Sequence, residues 1–127
     1  SIRRVVTVID HVEIKTVHFD DCKRFYQTVL HPLHVELKWA DDAAAGFGLN
    51  GRDKVSFLIE RGERHTHCHL AFSATTQAQV DAFHLAGIQA GFRCNGQPGF
   101  RAHYAPDYYA AFLLDPDGNN VEAVAYI

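Results

Sequence analysis

The sequence predicts an α+β domain built from two tandem βαβββ modules, and three observations predict it. The chain matches itself without a gap when displaced by 58 residues: His11 falls on His69, Val12 on Leu70, Ile14 on Phe72, Phe25 on Phe83 and Leu30 on Ile88. Such internal periodicity is the mark of a duplicated unit. Short segments alternate apolar and polar residues, as half-buried strands do, and two longer ones carry apolar residues at helical spacing. Turn signals, Asn50-Gly51 and Asp115-Pro116-Asp117-Gly118, precede the last apolar segment of each half.

Each element follows in order. A strand is expected near 5–15, with Val12 and Ile14 on one face. A helix follows, its stripe formed by Phe19, Cys22, Phe25, Tyr26, Val29 and Leu30, with Asp20 or Asp21 as N-cap and Pro32 as its stop. Strands near 33–39, 46–49 and 54–60 complete the first module, 1–62. The second, 63–127, repeats the order: a strand near 65–74 and a helix capped by Thr75 or Thr76. Its stripe is Val80, Phe83, Gly87 and Ile88, and Gly91 closes it. Strands near 92–95, 109–114 and 120–126 follow. Further along, Phe47 falls on Phe112 at an offset of 65, and Val55 on Val121 at 66. The second module therefore holds extra residues, placed in a 96–108 loop that could serve as a lid or rim.

Length and composition agree with one domain spanning 1–127. The chain has 127 residues, 47% hydrophobic and 21% charged, enough for a core. A net charge of −3 and a pI near 6.3 give no basic footprint for nucleic acid, and Arg3-Arg4 and Lys23-Arg24 read as surface pairs. No apolar run reaches the length of a membrane helix, and the start lacks the pattern of a secretory signal. Cys22, Cys68 and Cys94 are odd in number and form no C-x-x-C pair, so reduced thiols in the cytoplasm are expected rather than disulfides or a zinc knuckle. No Gly-rich nucleotide loop, G-x-S-x-G or H-E-x-x-H occurs.

The nine histidines are an excess that raises the expectation of a site. If Val12, Ile14, Leu70 and Phe72 face the helices, His11 and His69 face the other way. On the last strand Val121, Ala123 and Ala125 share one face; Glu122, Val124 and Tyr126 share the opposite one. His11, His69 and Glu122 then come from three strands and can converge in a cavity. Two imidazoles and a carboxylate suit a divalent transition metal and leave coordination positions open for substrate or water. His103 and Tyr104 on the long loop are candidates for acid/base chemistry, beside Glu122 itself. His67, Arg101, Tyr109 and Trp39 are the candidates for contact with a small-molecule substrate. His18, His31, His34 and His84 read as exposed or structural.

Asp10-His11-Val12-Glu13-Ile14, Phe25-Tyr26, His69-Leu70-Ala71-Phe72 and Asp115-Pro116-Asp117-Gly118-Asn119-Asn120-Val121-Glu122 together resemble the vicinal oxygen chelate superfamily. That group includes glyoxalase I, methylmalonyl-CoA epimerase, fosfomycin-resistance thiol transferases, extradiol dioxygenases and bleomycin-binding resistance proteins. The resemblance implies paired modules around a cup-shaped cavity. It implies a divalent ion (Fe, Mn, Ni or Zn) held by His11, His69 and Glu122, and a homodimer that can share its cavity between chains. The family's fourth ligand position falls on Ser56, a poor ligand, which fits the three-ligand members better. Lyase, isomerase, thiol-transfer and dioxygen chemistry stay open. So do a metal-free antibiotic-binding protein walled by Trp39, Phe47, Tyr104, Tyr108 and Tyr109, and a small interaction protein that lost the chemistry.

Overall fold

The computed structural model describes residues 7–127; Arg3-Arg4 and the start of the expected first strand lie outside them. The first module runs β1 (Val12–Thr16), α1 (Phe19–Leu30), a 3-10 turn (His31–Leu33), β2 (Val35–Ala40), β3 (Ala44–Leu49) and β4 (Phe57–Arg61). The second runs β5 (His69–Ser73), α2 (Gln77–Gln89), β6 (Arg93–Phe100), β7 (Tyr108–Leu114) and β8 (Asn120–Tyr126). Each module makes its own four-stranded sheet, in the orders β1-β4-β3-β2 and β5-β8-β7-β6. The outer strand of each, β1 or β5, runs parallel to the last. The βαβββ order is thus present twice, as the repeat predicts.

Amphipathic faces hold the modules together. Phe19, Cys22, Phe25, Tyr26, Val29 and Leu30 are all buried on one side of α1. They join Val80 and Phe83 of α2 and inward residues of both sheets in one shared core. Phe57 of β4 meets Phe72 of β5 edge to face, 5.4 Å apart, where the helix-bearing faces of the two sheets approach. Each such buried aromatic contributes about 1.5–3 kcal/mol through area removed from water. No helix is long and apolar enough to cross a membrane among the described residues.

Local departures from expectation have simple causes. The N-cap of α1 is His18, without a side-chain bond; Asp20 and Asp21 lie inside the first turn, where their charge complements the helix dipole. Thr76 caps α2, accepting from the Gln79 amide. Ile88 is exposed, so the α2 stripe ends at Gly87. The expected 96–108 loop is mostly strand, since β6 continues through Phe100 after two register shifts.

Strand pairing also corrects the repeat. Val12 pairs with Phe57, and its counterpart Leu70 pairs with Val121. Phe57 therefore corresponds to Val121, and Leu58, not Ser56, corresponds to Glu122. A two-residue slip preserves the alternation, so periodicity could not detect it. Phe47 pairs with Phe57 and Leu113 with Val121, so Phe47 matches Leu113 rather than Phe112. That one-residue shift moves Phe47 to the helix face. It is fully buried against Tyr26 and Phe57 and cannot wall a cavity.

Candidate functional site

On β7 and β8 the residues facing away from the helices are set by register: Tyr108 opposite Tyr126, Ala110 opposite Val124, Phe112 opposite Glu122. His69 on β5 shares this outer face. Its Nε2 lies 2.7 Å from Glu122 Oε1, while the Tyr108 hydroxyl donates to Glu122 Oε2. Glu122 is 1% exposed, whereas the His69 side chain is half exposed. A buried carboxylate is tolerated only when its oxygens are satisfied, and here each has a partner. Burial, then the carboxylate it serves, pushes the Tyr108 hydroxyl well above its ordinary range, so it remains a donor.

Aromatic rings extend the face. Tyr104, Tyr108 and Tyr126 form a ladder, with centroids 5.1 and 5.4 Å apart. The Phe112 ring lies 6.3 Å from His69, and the Arg101 guanidinium covers it at 5.3 Å. Gly96 makes room for Phe112: a Cβ there would stand 2.7 Å from the ring. Across the edge, Asn95 donates to Asn120, the strand partner of His69.

The Asp115–Asn119 turn fixes how β5 enters this face. Asp115 is buried. Its Oδ1 accepts from the Asp117 and Asn119 amides, and its Oδ2 from the Tyr26 hydroxyl at 2.6 Å and Asn119 Nδ2. Asn119 Oδ1 in turn accepts from the Cys68 amide, one residue before His69. The family-like turn motif is therefore a clamp between α1, β5 and β8. Gly118 completes it at φ +88°, a conformation L side chains rarely adopt.

Cys22, Asp115 and Asp117 approach within 4.8 Å of one another, a donor set that could suit a cation. The hydrogen bonding is already closed, however. Asp115 accepts four bonds, and the Cys22 thiol takes one from Thr16 and gives one to Asp117. Burial pushes that thiol far up, so the thiolate a metal needs is disfavoured.

The expected residues separate into groups. His69 and Glu122 are brought together. His11 is exposed, bonded to Asp10 at 2.7 Å, and is not part of any close ligand cluster among the described residues. His11 precedes β1 in the sheet of the first module and the His69–Glu122 pair belongs to that of the second, and the two sheets are separate within one chain. Arg101 reaches the outer face and Tyr104 borders it through Tyr108; His103 stacks on Tyr104 at 4.1 Å, exposed. His67 precedes β5, exposed, its ring 6.3 Å from His65. Trp39 lies over Gly46 on the first sheet, remote from Glu122 in register. Tyr109 is on the opposite side, donating to Asp81 of α2 at 2.6 Å, because strand alternation turns it toward the helix. His84 is buried, its Nε2 3.1 Å from Cys94 Sγ; all three cysteines are free. Phe112 is a residue the site adds to that expectation, and Tyr108, expected only as an aromatic wall, is the one that holds Glu122. Their alternation with Glu122's partner strand was the available signal.

Two clefts lie elsewhere. One of about 410 Å³ runs between Arg24, Phe92 and Gly118; another of about 530 Å³, lined by Asp10, Lys54 and Ser56, lies beside His11. Neither includes His69 or Glu122.

Comparison with known proteins agrees with this fold. Residues 8–123 match the model of the Glyoxalase/Bleomycin resistance protein/Dioxygenase superfamily. The fold is similar to a crystal structure of a glyoxalase/bleomycin resistance protein from Albidiferax ferrireducens T118, with 31% identity and a TM-score of 0.76. That match covers 94% of this chain and 98% of the other. It is also similar to a glyoxalase/bleomycin resistance protein/dioxygenase family enzyme from Burkholderia phytofirmans PsJN (20% identity, TM-score 0.70, 93% and 98% covered). A lactoylglutathione lyase from Agrobacterium tumefaciens gives 17% identity, a TM-score of 0.68 and 96% coverage of each chain. None of the curated proteins matches the sequence. Across nearly its whole length, then, the chain belongs to the glyoxalase/bleomycin resistance protein/dioxygenase superfamily.

Proposed function

We propose that this protein is a divalent-metal-dependent enzyme acting on a small oxygen-chelating molecule, with each site shared between two copies of the chain. The observation that carries the reading is the buried Glu122 carboxylate joined to the half-exposed His69 at 2.7 Å. Nitrogen and carboxylate oxygen at that spacing offer two donors to one ion such as Fe(II), Mn(II), Ni(II) or Zn(II). His11 is the natural third. It is exposed on the other module, where a two-fold partner can present it, and an isologous dimer would then complete two equivalent sites. Leu58 at the position matching Glu122 offers no donor, which supports three protein ligands rather than four.

When bound, such an ion would stabilise negative charge developing on a substrate oxygen. The chain's own residues have separate tasks. Tyr108 holds Glu122 by one oxygen and leaves the other turned to His69. Phe112 and the tyrosine ladder exclude water and give a flat wall. His103 and Tyr104, at the rim, can move a proton as substrate enters. Lyase, isomerase, thiol-transferase and dioxygenase reactions all fit this arrangement. The tyrosine ladder also favours a second reading: a metal-free protein that sequesters an aromatic antibiotic on this face.

Metal content decides between them. Untagged protein purified without chelator is expected to carry about one transition-metal ion per chain, lost in Glu122→Ala. No ion, and none taken up when Fe(II), Mn(II), Ni(II) and Zn(II) are added, would overturn the enzyme reading and leave the sequestering one.

A further inference from the structure

We propose that Arg101 is an anion seat on the His69–Glu122 face, and that the ligand is a small, flat monocarboxylate. The proposal rests on reading that face as the ligand site and adds what the ligand must be. Arg101 follows β6, and its amide donates to Tyr108, which closes the strand ends and turns the side chain back over the sheet. One guanidinium nitrogen donates to the Gln97 carbonyl at 2.6 Å, which fixes the group in place. Its carbon stands 5.3 Å above the Phe112 ring, and His69 stands 6.3 Å from the same ring. Phe112 is also the strand partner of Glu122. A cation, a flat apolar surface and the His69–Glu122 pair therefore succeed one another across a single phenyl ring.

Arg101 forms no ion pair among the described residues, while Lys15, Lys38 and Lys54 are each paired with carboxylates. A guanidinium held by one backbone carbonyl keeps most of its five donors for a ligand, and its planar fork matches a carboxylate. Stacking on Phe112 strips water from one face of the guanidinium and strengthens that attraction. Charge limits the ligand further. Arg101 brings one positive charge to a face that already holds the Glu122 carboxylate, so a monocarboxylate fits better than a phosphate dianion. The guanidinium already lies over Phe112, so a flat ligand lies beside it, its carboxylate on Arg101 and its far end toward His69.

Benzoate and benzamide test this, since they share shape and differ in charge. Binding to the full chain, without added metal, can be followed by backbone amide shifts in NMR. Benzoate is expected to shift the amides of Arg101 and Phe112 and to bind roughly tenfold more tightly than benzamide. Arg101→Gln should abolish that preference and Arg101→Lys restore part of it, with unchanged unfolding midpoints. Equal binding of the two probes, no binding of either, or a preference that survives Arg101→Gln would each overturn the proposal. Metal uptake is read separately. Uptake without the benzoate preference sinks the anion seat alone, and the preference without uptake sinks the metal reading alone.

Discussion

The two modules share an architecture, yet their outer faces differ in kind. On the second, a buried carboxylate is held by a histidine and a tyrosine, flanked by Phe112 and by Arg101, which forms no ion pair among the described residues. On the first, Leu58 occupies the position of Glu122, and the polar groups neutralise one another: Lys15 pairs with Glu13 at 3.2 Å and with Glu60. Only His11 remains as a counterpart of His69. Duplication supplied the same strand geometry twice, but the three donors proposed for the metal are divided unequally, two on one face and one on the other. Such faces are complementary rather than redundant, which is what a site assembled between copies requires.

The turns before the last strands give the largest expected contrast. Asn50 and Asp115 each follow directly after the third strand of their module, one exposed and one buried. Asp115→Ala would strand Tyr26, Asn119 and two amides, costing about 3–5 kcal/mol. Asn50→Ala should stay within about 0.5 kcal/mol. Urea unfolding of the two variants measures the difference, and similar losses would contradict the clamp. A middle-sized effect is expected from Tyr108→Phe. Removing the hydroxyl that orients Glu122 should weaken metal binding by about 10- to 100-fold, by competition titration, with the fold intact. The smallest concerns the first face. The Glu60 and Glu13 carboxylates raise the Lys15 ammonium above its ordinary range, on a face still open to water. Exposed pairs of this kind are screened by water, so Lys15→Gln should leave the melting temperature unchanged.

Much of the fold was legible in the sequence because a duplication repeats its evidence. His11 over His69 and Phe25 over Phe83 register both first strands and both helices at once. The pairing of His69 with Glu122 followed from strand alternation alone. What alternation cannot show is register across a hairpin. Phe112 faces away from the helices where Phe47 faces them, and Leu58 rather than Ser56 stands at the position of Glu122. Both depend on loop length and backbone irregularity rather than on side-chain pattern. Strand alternation turns Tyr109, expected at the substrate, toward the helix. One residue of register decides which tyrosine meets Glu122 and which meets Asp81. The proposed meeting of His11 with the pair needs a second copy of the chain, because the two sheets do not join within one.

The central claim is that one site draws on two chains, and mixing two dead variants tests it directly. His11→Ala and Glu122→Ala should each bind no metal alone. Unfolded together and refolded as a mixture, half of the dimers pair one of each, and one of their two sites regains all three donors. Metal should then return at about a quarter of the wild-type amount. A mixture that binds no more than either variant alone, while the wild type binds metal, would contradict the shared site.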